Sequence, residues 1–273
     1  MSFSSNSPPL PDCKGPKLCE FPASIEGIKF LRTLSSETNH GDGDVPHSRV
    51  FLVALGDQRY ALKVFNFFSL EELRPFIPGG DHLLENRDKM IQDQLDPFYA
   101  ECRAFGRLVQ KEKDDELAVR CYGYKLLPAA VERQINKQFK IKDWNRGKGH
   151  ERQPLRAIVK AYIRFRTPFA RRKFPLMREK IKELNALGIY NMDIREDNYL
   201  GGRLFDFSIA ITAPHLSLWT KLRFEDQILA DINYDLECFD YMVGEKEKEN
   251  AKMVKHPRSR YNLRPRSARE PHG

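Results

Sequence analysis

Cysteine is scarce in this chain, and its few residues are scattered. No Cys-x-x-Cys pair occurs, and neither Cys13 nor Cys19 has a histidine nearby. A structural zinc site needs four clustered Cys or His ligands, so such a site is poorly supported. Because the count is odd and the spacings are irregular, we expect reduced thiols, as in the cytosol or nucleus. The five cysteines are Cys13, Cys19, Cys102, Cys121 and Cys238.

Sequence signals for secretion, for membrane insertion and for internal repeats are also absent. No basic stretch at the N-terminus precedes an apolar one, so we expect no signal peptide. No uninterrupted apolar run reaches the length of a bilayer, so we expect no membrane span. No motif recurs at a fixed period, which argues against a repeat architecture.

The composition that remains is that of an ordinary globular protein. The chain has 273 residues, which fits one or two domains with a sizeable core. Apolar residues make up 41% and charged residues 31%, so a soluble globular class is favoured. The net charge of +8 suits an acidic partner such as a nucleotide or nucleic acid. A solvated basic surface is the alternative interpretation.

The two ends differ from the middle in composition. Residues 1–24 are rich in Ser and Pro and predict a flexible tail. Residues 244–273 begin with alternating Glu and Lys and continue with an Arg-rich stretch, which predicts a disordered basic tail. Its arginines are spaced to contact phosphates without reading a base sequence. A solubilising or nuclear-import role is the alternative, and the folded domain is expected over 25–243.

The first half of that domain predicts a small sheet. Three runs rich in apolar residues suit strands, namely Ile25–Leu34, Arg49–Leu55 and Arg59–Phe65. The last two flank a Gly-Asp turn signal. Three consecutive antiparallel strands are therefore predicted. Lys63 lies inside the third strand, where burial is costly unless the ammonium group meets an anion. The alternative is that strand alternation turns Lys63 towards solvent.

A helix is predicted to begin at Asp96-Pro97, because Asp is a good N-cap and Pro is favoured in the first turn. Glu101 lies at the edge of its apolar face, where it either complements the helix dipole or meets a partner. The preceding polar segment, 69–95, is interpreted as an insertion that carries one or two short helices.

The rest of the domain predicts two further strands and then helices. Leu117–Leu126 and Ala157–Ile163 are expected as strands, with a polar surface excursion over 132–153 between them. Pro175–Leu187 has apolar residues at helical spacing and is followed by Gly188, so it predicts a helix. Leu216–Met242 supplies further helical material.

Three polar residues between these helices carry the chemistry. Asn198 follows Asp193 by five residues, and Asp206 comes eight residues later. This order suits phosphoryl transfer, in which one carboxylate orients or deprotonates an acceptor hydroxyl while an amide oxygen and a second carboxylate hold Mg²⁺.

The order of these residues resembles the protein-kinase family. Ala-Leu-Lys-Val around Lys63 is similar to the kinase strand whose Lys contacts nucleotide phosphates. The resemblance implies that ATP is held by Lys63 and that Lys63 is fixed by Glu101. It also implies that Asp193 acts on the acceptor hydroxyl and that Arg195 offsets the charge of the migrating phosphoryl group. Asn198 and Asp206 would bind Mg²⁺.

The chain departs from the kinase pattern at several points. Asn191-Met192 replaces the His-Arg pair before Asp193, and Ser208 replaces the Gly two residues after Asp206. Pro46 stands where a third glycine of a phosphate-covering loop would be, after Gly41 and Gly43, and Pro has no N–H to offer. Ala213-Pro214 follows so soon that little activation segment is left to seat a peptide.

Longer phrases resemble one narrower family. Among them are Tyr-Ala-Leu-Lys-Val-Phe, Val-Arg-Cys-Tyr-Gly-Tyr and Gly-Ile-Tyr-Asn-Met-Asp-Ile-Arg-Glu-Asp-Asn-Tyr-Leu-Gly-Gly-Arg-Leu. They are similar to the fungal kinetochore-subunit family Fta-two, a component of the Sim-four complex with a kinase-like fold. The resemblance implies an α+β, bilobal fold, with a β-rich N-lobe over about 25–159 and a short, mostly helical C-lobe over about 160–243.

The same resemblance implies a nuclear protein, associated with the kinetochore or centromere through complex partners, although a cytoplasmic location stays open. We expect a nucleotide-binding scaffold, with catalysis open between an atypical kinase and a pseudokinase. The alternatives are an active phosphotransferase on a small molecule or protein hydroxyl, and a nucleic-acid-associated protein that acts through the Arg-rich tail.

Overall fold

The protein is described by a computed structural model that is mixed α+β. The residues that it describes are 10–12, 14–35, 47–70, 87–147, 149–164 and 171–255. Gly41, Gly43 and Pro46 of the predicted phosphate loop therefore lie outside the described residues, as do residues 71–86 of the predicted insertion. In the described part of the chain, no helix is both long and apolar enough to cross a bilayer.

The centre of the first half is an antiparallel five-stranded sheet with the strand order β1-β2-β3-β5-β4. The three consecutive strands predicted from the sequence are confirmed. The strands are β1 (Lys29–Thr33), β2 (Ser48–Leu55), β3 (Gln58–Phe65), β4 (Cys121–Leu127) and β5 (Leu155–Ala161).

Strand alternation gives the sheet two different faces. Leu62 and Val64 of β3 point to one face and join an apolar cluster there. Lys63 and Phe65 point to the opposite face, where Phe65 belongs to a second cluster. Because Lys63 is directly opposite Ile158 of β5, its side chain lies under the middle of the sheet rather than at its edge.

A helix covers the first face. The polar stretch over 132–153, predicted as a surface excursion, instead contains most of α3 (Ala129–Phe139). Its apolar residues recur every four positions, and Ile135 is buried against the sheet together with Trp144. The prediction was wrong because a short amphipathic helix needs few apolar residues to cover a sheet face.

Two consecutive helices lie before β4. They are α1 (Arg87–Leu95) and α2 (Pro97–Gln110). The predicted N-cap is confirmed, since the carboxylate of Asp96 accepts a hydrogen bond from the backbone N–H of Phe98 at 2.9 Å. Helix α2 is mostly buried and packs between the second face of the sheet and the segment over 207–214.

The second half contains α4 (Phe174–Ala186) and α5 (Glu225–Lys255), with two small strand pairs between them. β6 (Ile189–Tyr190) pairs with β9 (Ile211–Thr212), and β7 (Tyr199–Leu200) pairs with β8 (Arg203–Leu204). The β6-β9 pair joins the two ends of the segment that carries the predicted catalytic residues, and β7 and β8 form a hairpin within it.

Helix α5 continues beyond the expected end of the domain. The tail predicted from residue 244 is helical as far as Lys255, and only 256–273 lie outside the described residues. The physical reason is that alternating Glu and Lys are good helix formers and pair along the helix. Lys248 contacts Glu245 at 2.8 Å, and Lys246 contacts Glu249 at 3.2 Å.

Of the flexible tail that we expected over 1–24, residues 10–12 and 14–24 are described, and they are packed on the folded domain. Leu18 and Phe21 are buried, and the backbone N–H of Phe21 donates to the carbonyl of Tyr124 at 2.8 Å. This segment thereby covers the edge of β4, which would otherwise expose unpaired backbone groups. A side chain at Gly106 or Gly123 would come within 3.0 Å of its backbone, so both close approaches depend on glycine.

Candidate nucleotide site

Three of the predicted site residues meet directly. The Lys63 ammonium lies 2.6 Å from the Glu101 carboxylate and 2.7 Å from that of Asp206. The side chains of Lys63 and Glu101 are almost completely buried, whereas the side chain of Asp206 is 27% exposed. Lys63 and Glu101 are 38 residues apart in sequence, and Glu101 and Asp206 are 105 residues apart. The fold itself therefore assembles this cluster.

The cluster keeps Asp206 ionised. Burial alone would raise the pKa of Asp206, but the charges of Lys63 and Lys160 outweigh it and hold that pKa well below its usual value. The N–H of Ser208 adds a hydrogen bond of 2.9 Å to the same oxygen that Lys63 contacts. For Lys63, burial is likewise outweighed by Asp206 and Glu101, and its pKa is raised.

A second lysine, which the sequence did not single out, completes the cluster. Lys160 on β5 contacts the other oxygen of Glu101 and donates to the carbonyl of Phe205 at 2.6 Å. Its side chain is 6% exposed. The available signal was the same as for Lys63, namely a Lys inside an apolar strand, but no family motif pointed to it.

The predicted acceptor-facing residues form a second group. The amide nitrogen of Asn198 lies 2.7 Å from the Asp193 carboxylate and 2.9 Å from the carbonyl of the same residue. Arg195 also contacts that carboxylate, at 3.1 Å. Since Asn198 uses its nitrogen here, its oxygen is the atom available to a cation.

Asn191 joins the two groups. Its amide nitrogen donates to the carbonyl of Asp206 at 2.7 Å, and its amide oxygen accepts from the N–H of Asp193 at 3.1 Å. The sequence had marked Asn191 only as a departure from a motif. In the structure it fixes the distance between the loops that carry the two aspartates.

Asp235 of α5 holds the backbone at Asn191 in place. It is fully buried, and its carboxylate accepts from the backbone N–H groups of Asn191 at 2.6 Å and Met192 at 2.8 Å. Met192 has a φ of 65°, a left-handed conformation that is strained for Met. The two hydrogen bonds hold the backbone in this conformation.

The segment after Asp206 is tied to α2. Arg103 donates to the carbonyls of Thr212, at 3.0 Å, and Pro214. Arg107 donates to the carbonyls of Ala213 at 2.8 Å and Leu187 at 2.9 Å. The short segment suspected from the Ala-Pro signal therefore packs against the helix that carries Glu101.

The donor set suits a metal that arrives with a ligand. Among the described residues, no group of three or more His, Cys, Asp or Glu side chains is clustered as a metal site. Mg²⁺ commonly needs only one or two protein oxygens when phosphates supply others. Asp206 has one carboxylate oxygen outside its contacts with Lys63 and Ser208, and Asn198 has its amide oxygen, so both fit this use.

The predicted contact with nucleic acid depends on the Arg-rich residues 256–273. These lie outside the described residues, so that contact stays a prediction.

Comparison with known proteins identifies the family. No curated protein matches the chain. A family model, described as kinetochore Sim4 complex subunit FTA2, matches residues 6–211, which include the sheet, α2 and every predicted site residue. Because this match covers well over half of the 273 residues, the chain belongs to the family of the kinetochore Sim4 complex subunit FTA2.

Proposed function

We propose that this protein is a kinetochore-associated subunit with a kinase-like, bilobal fold that binds ATP with Mg²⁺. The observation that carries the proposal is the contact of Lys63 with both Glu101 and Asp206, joined through Asn191 to Asp193. A buried lysine between two carboxylates is costly to assemble. Its presence beside a partly exposed aspartate is therefore better explained by ligand binding than by stability alone.

Each residue has a role in this proposal. Lys63 holds phosphate oxygens, and Glu101 keeps the Lys63 ammonium in place. Asp206 and Asn198 offer oxygens to Mg²⁺, which when bound supplies charge neutralisation at the phosphates. The fixed separation of the two loops by Asn191 holds these oxygens ready before the ligand arrives.

Membership in the family supports a cellular location and a class of partners for the protein. Membership in a kinetochore-subunit family favours a nuclear location and kinetochore proteins as partners. In that setting, a nucleotide would stabilise the fold of a scaffold, whether or not the nucleotide is turned over.

The test is thermal unfolding with and without Mg-ATP. At a nucleotide concentration one hundred times Kd, binding stabilises the fold by about 2.7 kcal/mol. For a chain of this size, that is a rise in Tm of roughly 5 to 10 °C. We expect this rise in the wild type and in the surface control Lys113→Ala, and its loss in Lys63→Ala and Asp206→Ala. An equal rise in all four proteins, or none in the wild type, would reject the nucleotide site.

Phosphotransfer is the second candidate function, and the Asp193 carboxylate favours it. That side chain is 32% exposed and is oriented by Asn198 and Arg195. It is thus accessible to an acceptor hydroxyl as well as fixed in direction. If the protein is an enzyme, Asp193→Asn should lose turnover, measured as nucleotide hydrolysis or transfer, and keep the thermal shift with Mg-ATP. Unchanged turnover in Asp193→Asn would exclude this role.

A further inference from the structure

Glu101 is shared between two lysines. One carboxylate oxygen contacts Lys63 at 2.6 Å and the other contacts Lys160. Glu101 is fully buried, so water cannot solvate its charge. Its negative charge is thus compensated twice, from β3 and from β5.

Lys160 also reaches the loop that carries Asp206. Its ammonium donates to the carbonyl of Phe205, the residue directly before Asp206, at 2.6 Å, and it lies 5.0 Å from the ring centre of Phe105. The four charged groups form a closed circuit: Lys63 joins Asp206 to Glu101, and Lys160 joins Glu101 back to the Asp206 loop.

The charges of this circuit balance without a ligand. Lys63 and Lys160 carry two positive charges, and Glu101 and Asp206 carry two negative ones. A phosphate group that enters must draw the Lys63 ammonium towards itself, out of its contact with Asp206, which also loosens its contact with Glu101. If Lys63 were the sole cation near Glu101, this movement would leave a buried carboxylate poorly compensated, which is strongly unfavourable.

We propose that Lys160 is a positioning residue that keeps Glu101 compensated while Lys63 turns from Asp206 to a nucleotide phosphate. The proposal rests on the nucleotide site proposed above. It assigns Lys63 and Lys160 different tasks: Lys63 exchanges a carboxylate for a phosphate, and Lys160 holds Glu101 and the Phe205 carbonyl throughout. Asp206 is left available to a cation.

The first test needs no nucleotide. Acetylation of Lys63 by acetic anhydride is followed by mass spectrometry against pH in the wild type, in Lys160→Met and in Lys160→Met with Glu101→Gln. In Lys160→Met the whole charge of Glu101 acts on Lys63, so the ammonium is held more firmly. We expect acetylation about tenfold slower, the equivalent of one pKa unit, and a return towards the wild-type rate in the double variant. Lys221, which is exposed, serves as the internal reference.

A purely structural role predicts the opposite sign. If Lys160 only packs the core, Lys160→Met loosens the structure and Lys63 is acetylated faster. A faster or unchanged rate would therefore overturn the proposal.

The second test measures Mg-ATP affinity by titration calorimetry at a temperature where all variants are folded. We expect Lys160→Met to weaken binding about tenfold, which is about 1.4 kcal/mol. The double variant should bind better than Lys160→Met, because the neutral amide introduced by Glu101→Gln needs no second cation. A double variant that binds no better than Lys160→Met would reject the role of Lys160. No binding by the wild type would instead reject the nucleotide site itself, and the acetylation result would still decide whether Lys160 shares the charge of Glu101.

Discussion

Two pairs of ionisable groups with little access to solvent have different kinds of partner. Glu101 and Asp206 face lysine side chains, and the pKa of Asp206 is held below its usual range against the effect of burial. Asp235 and His215 are buried as completely as Glu101, but they are bonded to backbone groups. Burial raises the pKa of Asp235 to about 6 and lowers the pKa of His215 to about 4.

The difference separates groups whose charged form is favoured by their partners from groups whose charged form is disfavoured by burial. Backbone dipoles satisfy hydrogen-bonding capacity but compensate a buried charge only in part, so Asp235 and His215 shift towards their neutral forms. Ammonium groups compensate the charge itself. The charged form is thus favoured at Asp206, where a phosphate and a cation are proposed to bind. It is disfavoured at Asp235 and His215, which only hold loops in place.

The largest expected effect comes from removing the carboxylate that two lysines share. Glu101→Ala leaves Lys63 and Lys160 buried with one carboxylate between them, and breaking a buried pair in this way costs about 3–5 kcal/mol. Chemical denaturation at pH 7 measures the free energy of unfolding. Glu116→Ala, which removes the exposed partner of Lys113, should cost far less, because an exposed ion pair contributes little to stability. Similar losses in the two variants would show that the buried network has no special weight.

His215 should make the fold sensitive to acid. Its Nδ1 accepts from the N–H of Ser217 at 3.1 Å, and its Nε2 lies 3.2 Å from the carbonyl of Gln94. Because burial lowers its folded pKa to about 4, below the usual 6.5, the unfolded chain binds the extra proton first as the pH falls. The contribution is complete above pH 6.5 and is lost as the pH falls to about 4, a change of about 3 kcal/mol.

His215→Asn keeps an oxygen near the Ser217 N–H and cannot titrate. The free energy of unfolding of this variant should therefore fall less between pH 6.5 and 4 than that of the wild type. Parallel curves for the two proteins would contradict the assignment.

Asp235 should act in the opposite direction. Its folded pKa is raised to about 6, above the usual 3.8, so the folded state binds the proton more tightly. Its contribution is complete below about pH 4 and declines by roughly 2 to 3 kcal/mol as the pH rises through 6. In Asp235→Asn this decline should be absent, so the stability difference from wild type changes in the variant's favour between about pH 4 and 7. The check is equilibrium denaturation at each pH, and a constant difference would refute it.

Asp193→Asn should have the smallest effect on stability. The Asp193 side chain is partly exposed, and Asn can still accept from the Asn198 amide and the N–H donors around it. A loss below about 1 kcal/mol is expected, as for other exposed ion pairs, and denaturation at pH 7 will measure it. A loss as large as that of Glu101→Ala would place Asp193 with the structural charges instead.

Local signals in the sequence predicted much of this architecture. Asp96-Pro97 marks a helix start by chemistry that involves only neighbouring residues, and the helix begins there. The turn at Gly56-Asp57 between apolar runs likewise fixes the β2-β3 hairpin. Lys63 and Glu101 match a family in residue type and order, and they are in contact.

The features that the sequence did not reveal depend on distant partners. Asp235 is one of several acidic residues in α5, and only its contact with the Asn191-Met192 backbone, 43 and 44 residues away, distinguishes it. Lys160 meets Glu101 across 59 residues. Leu18 lies in a Ser- and Pro-rich stretch whose composition predicts a tail, yet α2 and β4 supply a surface on which it is buried. Composition and spacing do not encode such pairings.

The contact at Gly106 ties the start of the chain to the site. This glycine lies on the same helix as Glu101, a little over one turn later, and a Cβ there would lie 2.6 Å from the backbone of Lys17. The helix is therefore packed closely on the backbone of Lys17 and Leu18. In a protein shortened to begin at residue 25, one side of that helix would be exposed to solvent. A loss of the nucleotide response in such a protein would therefore reflect a displaced Glu101 and not a binding role of the removed residues.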